Sequence, residues 1–242
     1  MTDLFLLAGL VFFAYTAQAM TGFGSVVIAL TLGALFFPMR AILPVLVALN
    51  LPLCLWIVYR QGKFIDQRLL LGRILPFMAA GGIVGILLES RLEGPLLRQG
   101  FGLLILSFAL YDLYRLWQDT PAHAPRGGFF SGSWMLMAGF FHGLYASGGP
   151  ALVQALGSRG LDRQVFRATL MAVWLLLNGL LLSWYIYEGR FGFSEARQFV
   201  LLLPAIPLAV KSGEWLHWRV SERSFRIVIQ LTLALSALAL LS

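Results

Sequence analysis

Hydrophobic positions run through this chain in long blocks, without the two-residue alternation of a half-buried strand and without a one-sided helical stripe. Uninterrupted apolar runs cover roughly 41–59, 69–88, 96–117, 164–187, 196–215 and 223–241. Each is long enough to cross about 30 Å of hydrocarbon as a helix. Two further blocks, Leu4 to Pro38 and Phe129 to Gly157, are broken near their middles by glycine and small hydroxyl residues. The first break reads Thr21-Gly22-Phe23-Gly24-Ser25 and the second Ser147-Gly148-Gly149-Pro150. Segments of about ten residues with alternating polarity, which would build an outer-membrane barrel, are missing. The pattern predicts an all-α polytopic membrane protein.

The breaks lie half a chain apart, and the sequence around them is duplicated. An offset of 127 aligns Arg40-Ala41 with Arg167-Ala168. At an offset of 128, Asn50 meets Asn178, Trp56 meets Trp184, Tyr59 meets Tyr187, Pro76 meets Pro204, Gly85 meets Gly213, Arg91 meets Arg219 and Arg98 meets Arg226. Leucine and valine coincidences between apolar segments carry no weight; ordered matches at Asn, Trp, Pro and Arg do. Two membrane repeats follow, residues 1–120 and 129–242, joined by a short loop at 121–128. Each repeat holds one glycine-broken segment and three uninterrupted spans.

The parity of crossings decides how the repeats are related. If a broken segment crosses once, each half has four crossings and the repeats are parallel; if it is a hairpin, the count is odd and they are inverted. Hairpins put Arg40, Arg91, Arg98, Arg190 and Arg197 on one side. The other side then carries Arg60, Lys63, Arg68, Arg73, Arg115, Arg126, Arg159, Arg163, Arg167, Arg219, Arg223 and Arg226, with Lys211 set aside as intramembrane. Single crossings divide the same residues almost evenly. Because cytoplasmic loops carry the excess of Lys and Arg, the bias selects hairpins, inverted halves and both termini outside the cytoplasm.

Composition agrees: 59% of the 242 residues are hydrophobic and 12% charged, with mean hydropathy +0.81. The net charge of +7 is spread over short loops, which reads as topology and not as a nucleic-acid surface. The start, Met1-Thr2-Asp3, lacks the basic region of a signal peptide, so the first block is expected to belong to the mature protein. One cysteine, Cys54, excludes an intrachain disulfide and a cysteine metal cluster, and His123, His142 and His217 show no ligand spacing. No metalloprotease, phosphate-loop or nucleophile-elbow motif occurs, so neither an enzyme nor a bound cofactor is expected.

The breaks carry the candidate chemistry. Unwound backbone survives at membrane depth only where it lines a cavity or is buried in protein, and paired broken segments point to a transporter's binding site. A helix starting after a break offers free backbone N–H groups and the positive end of its dipole to an anion. Thr21, Gly22, Gly24 and Ser25, with Ser147, Gly148, Gly149 and Pro150, are therefore the expected binding backbone, Ser25 and Pro150 at the helix starts. Gln18, Gln154, Asn50 and Asn178 are secondary lining candidates, since polar residues within apolar spans face the protein interior. The competing role for the glycines is close helix packing, and for the amides an interhelical hydrogen bond. His142 precedes the second break, with Tyr145 one turn beyond it. Lys211 and Glu214 share a helical face, either as counter-charge and proton carrier or as interfacial groups beside Trp215 and Arg219. Arg40 and Arg167 either steer anions or anchor helices.

At the breaks, Gln18-Ala-Met-Thr-Gly-Phe-Gly-Ser25 and Gly139-Phe-Phe-His-Gly-Leu-Tyr-Ala-Ser-Gly-Gly-Pro150, the sequence resembles the sulfite exporter TauE/SafE family of bacterial membrane transporters. Arg167-Ala-Thr169, the length and the two-half organisation fit as well. The family's triple glycine is incomplete in both copies, interrupted by Phe23 in one and replaced at Ser147 in the other. The resemblance implies a multi-pass protein of the bacterial inner membrane that transports, often as export, sulfite, sulfonates or related organosulfur anions; together with the paired breaks the expectation is alternating access with a midplane site between two hairpins. With no nucleotide motif, its drive is a proton gradient, an ion gradient or the substrate gradient. The contrasting expectation is a channel-like or structural membrane subunit in which the glycines only pack helices.

Overall fold

The computed structural model describes residues 2–21, 24–92, 94–118, 128–156, 160–217 and 219–242, and among them it is helical with no strand. The helices are α1 (Thr2–Thr21), α2 (Ser25–Gly33), α3 (Met39–Gln61), α4 (Gln67–Leu69), α5 (Leu75–Glu89), α6 (Gly94–Trp117), α7 (Gly128–Tyr145), α8 (Gly149–Leu156), α9 (Arg163–Tyr187), α10 (Phe193–Leu202), α11 (Ala205–His217) and α12 (Glu222–Leu241). Several start on a polar cap. Asp66 accepts from the Leu69 N–H at 2.9 Å, Asp162 from Gln164 at 2.8 Å and Ser221 from Ser224 at 3.1 Å, each satisfying a first-turn donor.

Four helical segments are long and apolar enough to cross a membrane: Met39–Phe64, Gln67–Glu89, Gly94–Trp117 and Gln164–Tyr187. These match four of the six expected spans; the run expected at 223–241 qualifies only as a shorter apolar helix, Ile227–Leu241. α10 and α11 together make a fifth candidate, bent by 40°. Pro204 sits in the bend, where it removes an N–H from the helical ladder. Its sequence equivalent, Pro76, follows a π-helical turn at Leu70–Ile74 that joins α4 to α5. One missing donor is absorbed as a bend in one half and as a widened turn in the other.

The chain divides into two compact units that cut across the sequence halves. One comprises Met1–Leu46, Leu92–Thr120 and Phe193–Ser242. In it α1 packs on α11, where a methyl on Gly213 would lie 2.6 Å from the Thr16 carbonyl oxygen and 2.6 Å from Ala19 Cβ. The Thr16 hydroxyl also reaches the Ala209 carbonyl at 3.3 Å. α6 packs antiparallel on α12: Arg98 donates to the Ala239 carbonyl (3.4 Å), Gln230 to Asp112 (3.0 Å) and Arg223 to the Leu116 carbonyl (3.0 Å).

The other unit comprises Val47–Arg91 and Pro121–Gly192. Here α5 and α7 run parallel with their backbones in contact. Methyls on Gly81 or Gly85 would overlap the Leu136 or Phe140 carbonyl oxygen, and methyls on Gly139 or Gly143 would overlap the Met78 or Gly82 carbonyl. Two small-xxx-small faces thus interlock. Gly213 of the α1–α11 contact and Gly85 of the α7–α5 contact are paired by the 128-residue offset. α3 and α9 run antiparallel, joined by Asn178 to Asn50 at 3.0 Å and by Cys54 to Met171 at 4.0 Å. Arg190, beyond α9, pairs with buried Glu89 at the end of α5 (3.0 Å) and lies 4.5 Å from the Tyr185 ring centroid.

Candidate functional site

Both broken segments are helix pairs. α2 has nine residues and α8 eight, so they rise only about 14 Å and about 12 Å, less than half a bilayer's hydrocarbon. α8 turns back along α7, for the hydroxyl of Ser131 near the start of α7 donates to the carbonyl of Ala155 near the end of α8 at 3.1 Å. Ala146 to Gly148 run down beside α7: the Ser147 N–H meets the Phe141 carbonyl at 3.4 Å, and Gly148 lies against Ala138. The helix start at Gly149 is consequently level with the middle of α7. α2 packs on α1, and every α2 residue except Leu32 is buried, which explains why its sequence is apolar all round.

Glycine serves the two breaks differently. Gly24 precedes α2 at φ +100°, a left-handed conformation costly for any side chain, while a methyl there would make only an ordinary 3.9 Å contact with Ile28 Cδ1. Gly148 is held by proximity, because a methyl there would overlap the Ala138 carbonyl. The left-handed residue of the second break is Ala146, at φ 50°. Close packing thus applies to Gly148 and conformational freedom to Gly24.

Ser25 opens α2 as expected, 1% exposed, and its N–H donates to the Gln18 side-chain oxygen at 3.1 Å. Gln18 therefore acts as a cap supplied from α1, a role that hydropathy alone does not reveal. Thr21 ends α1; its side chain, like Gly22 and Phe23, lies outside the described residues. Ser147 is buried and its hydroxyl donates to the Tyr145 carbonyl at 2.8 Å. α8 begins at Gly149, so Pro150 takes the second position, one residue later than expected, where its missing N–H is equally harmless. Gln154 is half-buried on α8. Asn50 and Asn178 are both buried and bonded to each other, and the Cys54 thiol donates to the Asn50 oxygen at 2.9 Å.

A match to the family model described as "Sulfite exporter TauE/SafE" covers residues 7–240. The chain belongs to the TauE/SafE family. Neither a curated protein nor a solved structure matches it. TauE/SafE membership, with its apolar helices, makes it a multi-pass membrane protein of a transporter family.

Other expected residues of this TauE/SafE chain separate from the breaks. Arg40 is exposed and donates to the Leu92 carbonyl at 2.9 Å, which fits helix anchoring. Arg167 is half-buried near the start of α9, and the nearby Thr169 hydroxyl accepts from the Asp66 N–H at 3.0 Å. Lys211 is exposed, and Arg219 stacks 4.1 Å from the Trp215 ring centroid, an arrangement suited to a membrane interface. Arg60 over Trp56 at 5.2 Å repeats it at the end of α3. The side chains of Glu214 and His217 and residues 119–127, including His123 and Arg126, lie outside the described residues, as does Arg159. Sequence reasoning missed the Glu89–Arg190 pair and the α5–α7 interlock; the four-residue spacings Gly81/Gly85 and Gly139/Gly143 were the available signal for the latter.

Proposed function

We propose that the protein is a secondary transporter of small sulfur oxyanions, namely sulfite, sulfonates or related organosulfur anions, acting by alternating access in the bacterial inner membrane. The observation that carries this is the pair of short helices, α2 and α8, that start inside apolar segments at buried residues. Their first-turn amides and dipoles favour an anion in surroundings of low dielectric. Thr21, Gly22, Gly24 and Ser25 contribute at one break and Ser147, Gly148, Gly149 and Pro150 at the other, with Gln18, Asn50, Gln154 and Asn178 behind them. No chemical step is involved; a proton gradient, another ion gradient or the substrate gradient supplies the drive.

Inverted halves are part of the proposal. Equivalent helices of parallel repeats must run in the same direction, whereas α6 and α12 run antiparallel, as do α3 and α9. Short α2 and α8, the latter turned back along α7, support the odd number of crossings that inversion needs. The arginine bias then favours both termini on the non-cytoplasmic face. The test is uptake of labelled sulfite by proteoliposomes, competed with sulfonates, sulfate and carboxylates, for native protein and for Gly24→Ala and Gly149→Ala. Lost uptake at normal folded yield supports binding at the breaks. Folded native protein that responds to none of these anions defeats the assignment.

A further inference from the structure

His142, in the last turn of α7, is 4% exposed, and neither ring nitrogen has a hydrogen-bond partner among the described residues. Its ring stacks on Trp174 of α9, with centroids 5.5 Å apart and planes at 24°. The Leu177 backbone lies beside the ring, and among the described residues no charged side chain pairs with it. The side chain leaves α7 on the face along which the break descends, for a methyl on Gly148 would lie 3.0 Å from His142 Cβ.

The next residue begins α8. Its first internal hydrogen bond runs from the Leu152 N–H to the Gly148 carbonyl, 3.0 Å. The N–H groups of Gly149 and Ala151 thus have no carbonyl of their own helix to bond, and Pro150 carries no N–H. Buried imidazole nitrogens are normally partnered, so two without partners beside a buried helix start call for a ligand.

We propose that His142 is a binding residue of the second break, donating a ring N–H to one oxygen of the transported sulfur oxyanion while the first-turn amides of α8 hold another. The assignment rests on the transport function proposed above. Either neutral tautomer offers one N–H, and an oxyanion supplies the acceptors that this N–H and the helix amides need. Stacking on Trp174 fixes the ring plane before the anion arrives, so little order is lost on binding.

The test uses the full chain. His142→Phe keeps a ring against Trp174 and removes both nitrogens; His142→Gln restores an N–H. His142→Phe is expected to fold with an unchanged or higher Tm and to bind sulfite at least ten-fold more weakly, with the uptake KM rising in step. His142→Gln is expected to recover part of that loss. Folded His142→Phe protein with a sulfite Kd within two-fold of native overturns the proposal. Should that variant misfold, the imidazole ¹⁵N resonances of otherwise native protein carrying His123→Gln and His217→Gln report on His142 alone. They should move as sulfite is added, and signals unmoved at saturating sulfite overturn the assignment. Folded native protein that binds neither sulfite nor sulfonates defeats the transport function and this assignment together, whereas a silent His142 in sulfite-binding protein defeats this assignment alone.

Discussion

The Asn178 amide donates to the Asn50 oxygen at 3.0 Å, joining two residues that the 128-residue offset pairs. In two halves related by a two-fold axis, a residue meets its own equivalent only at the axis, so this bond marks where the axis would pass. The pair is uneven. Asn50 Oδ1 also accepts from Cys54, whereas Asn178 Oδ1 has no hydrogen-bond partner among the described residues. Asn50→Leu therefore strands two buried donors and should cost about 1–3 kcal/mol, and Asn178→Leu, which removes an unpaired oxygen along with the donor, about 0.5–1.5 kcal/mol. Thermal unfolding in detergent checks the order; equal or reversed losses count against it.

Gly85 and Gly213 should respond alike to substitution. Alanine at either drives a methyl into the backbone of α7 or α1 and should sharply lower the yield of monodisperse protein. Gly179 on α9 has nothing within 4 Å of its would-be methyl. Gly179→Ala should therefore be neutral or stabilising by up to about 1 kcal/mol. Size-exclusion profiles of the three variants make the comparison.

The two break glycines should separate. Gly24→Ala meets no clash but must hold a left-handed conformation, at a cost of about 1–2 kcal/mol, so it should fold with a lowered Tm. Gly148→Ala meets the Ala138 carbonyl and should lose most of its folded yield. Similar Tm and yield for both would contradict their different geometries.

Gln18 offers a charge test. Gln18→Leu withdraws the acceptor from the Ser25 N–H and should cost about 1 kcal/mol. Gln18→Glu keeps an acceptor but places a carboxylate where an anion is proposed to bind, so sulfite uptake should fall at least ten-fold in folded protein. Uptake by Gln18→Glu equal to native would argue that no anion approaches α2.

Topology is open to direct measurement. A periplasm-active reporter fused after Ser242 should be active, and cysteines placed at Lys63 and Arg190 in a Cys54→Ala background should label from opposite faces. Labelling of both from one face, or a cytoplasmic C-terminus, rules out the inverted arrangement.

Much of this was legible because hydropathy sets helix length directly: the runs at 41–59 and 164–187 lie within α3 and α9. The matched prolines were legible as a pair, yet their effects were not, since whether Pro76 widens a turn or Pro204 bends a helix depends on surrounding packing. Gln18 read as a lining residue because its bond to Ser25 spans seven residues across a break whose backbone path no periodicity encodes. Ser25 was legible as a helix start, whereas Pro150 marked the second start one residue off, since proline is equally harmless at either of the first two positions and α8 begins at Gly149. His142 was visible as a polar residue before the break, but its unpartnered nitrogens emerge only once α7, α8 and α9 are assembled. The four-residue glycine spacings of α5 and α7 were present in the sequence but went unread, because such spacing does not name the partner helix it fits.

The seat of α1 on α11 fixes an order of events during biogenesis. Thr16 bonds to a carbonyl 193 residues further along the chain, at Ala209. At roughly 5–20 residues per second of synthesis, α1 waits about 10–40 seconds before its resting surface on α11 exists. Throughout that interval the Thr16 hydroxyl has only its own helix, through the Phe12 carbonyl at 2.8 Å, to satisfy it. A nascent chain stalled before α11 would thus leave its oldest segment unmoored in the bilayer, open to chaperones and to membrane proteases.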